Sequence, residues 1–151
     1  ESIDSLPADV THLVSIERLG RTRGGRYFNM RGEDVTATTG DVDRWFTEEW
    51  GRGYRTIGIG DGGNEIGMGN MHAIVRRYIP DGFTLASCIR TDYLIIAGTS
   101  NWGAWGLLAG LSRLTGQSLL PTREQAVEHL EVLVANGAVD GVTGRHTETL
   151  D

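Results

Sequence analysis

The chain has 151 residues, 39% of them hydrophobic and 23% charged, with a net charge of -6. That balance describes a globular domain with a real core and excludes disorder as its main state, while no apolar run approaches the roughly 20 residues of a membrane-spanning helix. The acidic balance is the wrong sign for a nucleic-acid scaffold, and a lone cysteine closes no internal disulfide.

In chain order, the stretch 12–17 is short, apolar and β-branched and predicts a strand. The stretch 18–40 is rich in arginine and glycine, lacks a period and reads as a long functional loop. Val42, Trp45, Phe46 and Trp50 share a helical face, with Asp41 as the expected cap. A second strand is predicted over 54–60. Beyond it Gly67, Met71, Ile74, Val75 and Tyr78 form a helical stripe, closed by Pro80-Asp81-Gly82. Two further strands are expected over 83–88 and 93–98, antiparallel because their connection is too short for a helical crossover. The stretch 102–114 is apolar almost all round. It predicts a buried helix, with Trp102 and Trp105 in the core and Gly103, Gly106 and Gly110 against a neighbour. After Pro121, Thr122 and Gln125 have capping-box spacing, Ala126, Leu130, Leu133 and Val134 mark one face, and Asn136-Gly137 ends the helix. Strands alternating with helices predict an α/β layered domain, with a mainly parallel or mixed sheet flanked by helices.

The 22 glycines are about twice the usual share of roughly 7%. Five fall between Gly60 and Gly69, inside the run Gly58-Ile59-Gly60-Asp61-Gly62-Gly63-Asn64-Glu65-Ile66-Gly67-Met68-Gly69-Asn70. This run follows a strand and opens a helix, where backbone N–H groups and the helix dipole favour an anion. Gly58, Gly60 and Gly63 reproduce a dinucleotide-binding spacing, but Asp61 and Glu65 would then face a pyrophosphate, which is unfavourable without a metal. A tight turn capped by Asn64 accounts for two or three glycines and not for five beside two acids, so a site is expected here. All fourteen basic residues are arginine, which excludes a lysine Schiff base or a phosphate-binding Walker lysine.

Other residues are weaker candidates. Glu17 and Arg18 end the first strand, where the carboxyl edge of an α/β sheet opens on a ligand crevice; a surface ion pair is the plain alternative. Asn29 and Arg31 lie in the long loop. Ser100 and Asn101 precede the apolar helix, as a plain cap or, for Asn101, as a substrate contact. Cys88 reads as a buried structural thiol rather than a nucleophile. Asp92 is either a polar site residue or the close of a turn. His12, His72, His129 and His146 have no metal-ligand spacing, and His72 alone lies near the glycine turn as a proton carrier.

These segments together resemble the C-terminal domain of the D-glutamate cyclase family. The matching residues are Ser15-Ile16-Glu17-Arg18 with Gly20-Arg21, Tyr27-Phe28-Asn29-Met30-Arg31-Gly32, the run from Gly60 to Gly69, Cys88 with Thr91-Asp92, and Ser100-Asn101-Trp102-Gly103-Ala104. The likeness spans about 13–142 and departs at Leu19 and Phe28. It implies a lyase that cyclises D-glutamate to 5-oxo-D-proline with loss of water. Such chemistry needs a general base, a general acid and donors for two carboxylates. Asp61 and Glu65 are the expected acid/base pair. Glu17, Asn29, Gly62, Gly63, Asn64, Ser100 and Asn101 are expected to line the substrate, with Arg18 or Arg31 holding a carboxylate bidentately.

The alternatives are a non-catalytic binding domain for an anionic metabolite, or a metal-dependent enzyme acting on a small carboxylate. In the latter, Asp61, Glu65 and Glu17 would serve as oxygen ligands for Mg²⁺ or Mn²⁺; otherwise no cofactor is expected. The expected partner is a small acidic amino acid, with no nucleic acid and no membrane. The polar, acidic start at Glu1 predicts no signal peptide, and the expected compartment is the cytoplasm or, in a eukaryote, the mitochondrial matrix. The shorter-than-family length predicts a single domain that forms the C-terminal part of a longer one, completed by an upstream segment or a second subunit.

Overall fold

The computed structural model describes residues 6–47, 53–139 and 145–146. The chain divides into two units, Glu1–Leu107 and Leu108–Asp151. The first is built on three strands, β1 (His12–Ile16), β2 (Arg55–Gly60) and β3 (Tyr93–Ile96), in the order β1-β2-β3. Both pairings are parallel, with Ile16 beside Ile59 and Gly60 beside Ile96. The central strand is the most deeply covered, Thr56 and Ile59 being fully buried, as expected where neighbours flank both edges and helices lie on the faces. The fold is α/β, with a parallel sheet flanked by helices.

The crossover from β2 to β3 corrects two expectations. The stretch 83–88 is not a strand: α1 (His72–Tyr78) is followed by a short helical turn, α2 (Gly82–Leu85). Asp81 enters α2 with φ of 54°, and Leu85 is buried with Val75. A Cβ on Gly82 would lie 2.2 Å from the Val75 carbonyl oxygen, so only glycine lets the two turns close this tightly. With helices in the connection, β3 returns parallel rather than antiparallel. The expected helical stripe is also broken. Its first part is a 3-10 turn, Met68–Met71, and of the stripe's apolar side chains only Val75 is buried, Ile74 and Tyr78 being exposed.

The helix expected around Trp45 is a single 3-10 turn, Asp43–Phe46, and Trp50 lies outside the described residues. Asp41 does not cap it; its carboxylate accepts instead from Arg21 and Tyr27. Trp45 and Phe46 pack with Ile66 and Ile89. Beneath them Asp43, fully buried, accepts Arg21 backbone N–H at 2.6 Å, Arg21 Nη2 at 2.8 Å and the Tyr27 hydroxyl at 2.9 Å. Burial and the Asp43 charge push the Tyr27 phenol well above its usual range. This ion pair pins the long 18–40 loop, which is therefore fixed rather than free.

The helix α3 (Ser100–Thr115) forms as expected but is not buried, since only Ser100 and Gly103 are. Gly103 sits on the sheet, where a Cβ would lie 2.6 Å from Ile59 Cγ2, whereas Gly106 and Gly110 face open space. Trp102 and Trp105 are exposed, at 64% and 44%, and are not core residues. The short sheet supports only the first turn of this helix. In the second unit α4 (Arg123–Ala135) has its capping box, with Thr122 accepting from Gln125 N–H and Gln125 from Thr122 N–H. None of its side chains is buried; Asn136 caps it and Gly137 follows with φ of 79°. Among the described residues no helix is long and apolar enough to cross a membrane.

Candidate functional site

Parallel strands deliver their carboxyl ends to one edge of a sheet, and the chemistry-bearing residues gather there. Glu17 follows β1 directly and Asp61 follows β2, while Ser100 opens α3 just after β3. Glu17 takes a left-handed backbone, φ 55°, with its N–H held by the Ile59 carbonyl at 3.1 Å. Such a conformation is costly for a residue with a β-carbon and marks a side chain whose direction is imposed. That side chain accepts a hydrogen bond from the Ser100 hydroxyl, and Ser100 backbone N–H donates to Asp61 Oδ2 at 3.2 Å. Ser100 therefore spans the two acids and does not cap its own helix.

Glu65 completes the cluster from below. The glycine turn does bind an anion, but the anion is the chain's own. Glu65 Oε2 accepts Gly63 N–H at 2.7 Å, and Oε1 accepts Gly62 N–H at 2.8 Å and Asp61 N–H at 3.3 Å. Its side chain is only 1% exposed. The cradle foreseen for a substrate carboxylate is thus filled by Glu65, and the Gly62 and Gly63 amides are spent on it. Within this glycine run positive φ occurs at Gly63 (121°) and Gly67 (100°), so Gly62 is not the strained position. A Cβ on Gly63 would meet Val75 Cγ1 at 2.5 Å, and one on Gly62 would meet the flexible Met30 thioether at 2.7 Å.

Oxygen atoms of Glu17, Asp61 and Glu65 lie within 4.8 Å of one another. Burial, the Glu65 charge and the Asp61 charge together raise the Glu17 carboxyl above its usual range, with the Ser100 hydroxyl opposing them. Burial and then the Glu65 charge raise Asp61, with the Ser100 N–H opposing. Two of the acids therefore hold protons to higher pH than free carboxyls do, beside a third pinned by backbone donors. Three hard oxygen donors at this spacing also fit a divalent cation such as Mg²⁺ or Mn²⁺, and among the described residues they form the one group of three with ligand spacing.

The remaining candidates separate by position. Asn64 is buried and ties the turn to the long loop, its Nδ2 donating to the Phe28 carbonyl at 2.8 Å. Asn29 Oδ1 organises its own hairpin, accepting Arg31 and Glu33 N–H at 3.0 Å each, while Arg31 Nε reaches Glu33 at 3.4 Å. Arg18 is exposed, and its guanidinium makes no ion pair or hydrogen bond among the described residues. Asn101 is exposed beside Ser100. Asp92 sits at the opposite, amino end of the strands, where it accepts Thr56 N–H at 2.7 Å and the Thr56 hydroxyl at 2.9 Å. Burial pushes the Cys88 thiol up, which makes it a poor nucleophile. His72 Nδ1 bonds the Ser87 carbonyl at 2.9 Å.

Sequence reasoning found the three acids but missed the division of labour among them. The signal lay in the three-residue offset between Gly62 and Glu65, which lets a glutamate fold back on its own turn. It also missed Asp43, which no pattern distinguished from its acidic neighbours.

Among known proteins, the chain is 41% identical over 101 residues to the D-glutamate cyclase of human mitochondria, a match covering 66% of this chain. It spans about 16% of that relative's length. The family model described as D-glutamate cyclase-like, C-terminal matches residues 2–151. The chain thus belongs to the D-glutamate cyclase-like C-terminal family.

Proposed function

We propose that this chain carries proton-handling residues of a lyase that cyclises D-glutamate to 5-oxo-D-proline and water. The observation that carries the reading is the meeting of Glu17 and Asp61 over the pinned Glu65, at the carboxyl edge of the sheet. In the reaction the amine attacks the γ-carboxyl carbon, a C–N bond forms, and one γ-oxygen leaves as water. The nitrogen must give up two protons, one from the ammonium before attack and one as the lactam forms, and the departing γ-carboxylate oxygen must gain two to leave as water. A cluster of acids attracts the ammonium group and offers an ionised carboxylate to take its proton. Of Glu17 and Asp61, the ionised one takes a proton from nitrogen, and the one whose raised carboxyl is still protonated gives its proton to the γ-oxygen; the two then exchange roles for the second transfer. Glu65 is a positioning residue here, because its oxygens are bound by the Gly62 and Gly63 amides. Arg18, exposed next to Glu17, is the side chain we assign to a substrate carboxylate, as a bidentate partner.

The test is to incubate the purified chain with D-glutamate and L-glutamate, follow 5-oxoproline by chiral chromatography, and titrate binding by calorimetry on the same preparation. Product from the D-enantiomer supports the reading. Saturable D-glutamate binding with no product above the uncatalysed rate favours a binding domain for an anionic metabolite. A second reading is favoured by the ligand spacing of the trio: Glu17, Asp61 and Glu65 hold Mg²⁺ or Mn²⁺, which would neutralise part of the substrate's negative charge. Titration of Mn²⁺ into the chelator-treated chain tests it, and an absence of saturable binding rejects it.

A further inference from the structure

A cleft of about 330 Å³ lies between the Thr22–Phe28 loop and the α1–α2 turn, and it shares no residue with the carboxylate trio. Arg23, Arg26 and Arg76 line it together with His72, Phe28 and Phe83, and no acidic side chain does. In a chain of net charge -6 such a concentration of cations is out of balance with the rest of the surface. Arg26 pairs with Asp34 at 2.9 Å. The Arg76 guanidinium lies over the Phe83 ring, its Cζ 4.0 Å from the centroid, a cation–π contact that holds the charge at the cleft. Arg23 has no carboxylate partner among the described residues.

His72 supplies the second feature. Its Nδ1 faces the Ser87 carbonyl, which only accepts, so the proton sits on Nδ1 and Nε2 is a bare acceptor in the neutral ring. Nε2 is buried and has no hydrogen-bond partner. A buried acceptor left unpaired is costly, and a ligand hydroxyl would satisfy it.

We propose that this cleft binds a small phosphorylated hydroxy compound, a phosphomonoester. Arg23 and Arg76 fork its phosphate oxygens, Phe28 and Phe83 flank its carbon stem, and a hydroxyl donates to His72 Nε2. The three terminal oxygens of a phosphomonoester, with a charge near -2, present more edges to separate guanidinium forks than the two oxygens of a carboxylate do. The volume is at the small end for ligand sites and fits a compound of a few carbons.

The experiment is calorimetric titration of the chain with glycerol phosphate, inorganic phosphate and succinate, the last a dianion without a phosphoryl group. Arg23→Gln, Arg76→Gln and His72→Asn are titrated in parallel after circular dichroism has shown them folded. The expected result is saturable glycerol phosphate binding at least tenfold tighter than succinate, weakened tenfold or more by Arg23→Gln or Arg76→Gln. His72→Asn keeps a donor for the Ser87 carbonyl and deletes Nε2, so it should bring glycerol phosphate down to the affinity of inorganic phosphate. Failure of glycerol phosphate to bind overturns the proposal, and so does succinate binding as tightly. Equal affinity of glycerol phosphate and inorganic phosphate for the unaltered chain also overturns it. Arg23 lies on an exposed turn, so Arg23→Gln remains a fair test should Arg76→Gln fail to fold.

Discussion

Replacing Glu65 by glutamine separates the two roles that its carboxylate plays. In the native turn Oε2 accepts Gly63 N–H at 2.7 Å and Oε1 accepts Gly62 N–H at 2.8 Å. A carboxamide oxygen can keep the Gly62 bond, but its NH₂ then faces the Gly63 N–H, donor against donor. Losing one buried bond to a charged acceptor costs about 1.5–3 kcal/mol, and neutralising the other acceptor adds about 1 kcal/mol. Against this stands relief of repulsion from Glu17 and Asp61, whose oxygens lie within 4.8 Å. Because both are partly exposed, a water-like dielectric applies, giving about 1 kcal/mol for each fully ionised neighbour. The net expectation is a loss of about 1–2 kcal/mol at pH 7, or roughly 3–8 °C in thermal midpoint. Urea and thermal unfolding followed by circular dichroism measure it. A variant as stable as the parent, or more so, would show that repulsion outweighs the amide cradle and that the turn is not organised around Glu65.

Asp61→Asn should act in the opposite direction. The folded state raises the Asp61 carboxyl above its unfolded value, so its favourable contribution is complete below the unfolded value and is lost as pH rises through the folded one. The asparagine variant escapes that loss and should exceed the parent by up to about 1 kcal/mol at pH 7, with the gain gone near pH 3; a pH-independent difference would contradict this. Gly63→Ala should be strongly destabilising, by about 2–4 kcal/mol, because it combines positive φ with a clash at Val75, while Gly62→Ala pushes on the flexible Met30 thioether, puts its Cβ 3.2 Å from Glu65 Oε1, and should cost about 1 kcal/mol. Equal midpoints for the two glycine variants would refute that asymmetry. Asp43→Ala should cost about 3–5 kcal/mol by stranding Arg21 and the Tyr27 hydroxyl, and a smaller loss in urea unfolding would mean the pair is hydrated.

Much of this was legible in the sequence, and the losses have physical causes. β1, β2 and β3 stood out because short apolar runs rich in β-branched residues and flanked by polar or glycine residues have few other readings. The capping box at Thr122 was readable because it is purely local. The 83–88 stretch misled because its apolar content fits a strand, whereas its conformation follows from Gly82 closing on Val75, a tertiary contact. Burial of α3 was overestimated for a related reason. Apolar periodicity reports what a helix can bury, and the sheet beneath it covers only Ser100 and Gly103. At the site, Asp61 and Glu65 were identified by composition and Glu17 by its place at a strand end. That Glu65 would occupy the anion cradle itself is permitted by its three-residue offset from Gly62, but the offset equally allows the side chain to point away, and only its burial decides between the two.

The central claim is that Glu17 and Asp61 move protons during cyclisation while Glu65 holds the turn. It is tested most directly by measuring 5-oxo-D-proline formation from D-glutamate by the parent, Glu17→Gln and Asp61→Asn, with D-glutamate affinity measured on the same samples. The account predicts that each variant stays folded, binds D-glutamate within about tenfold of the parent and loses a hundredfold or more in turnover. Turnover retained within a few-fold in both variants would contradict it and remove the carboxylate cluster from the chemistry.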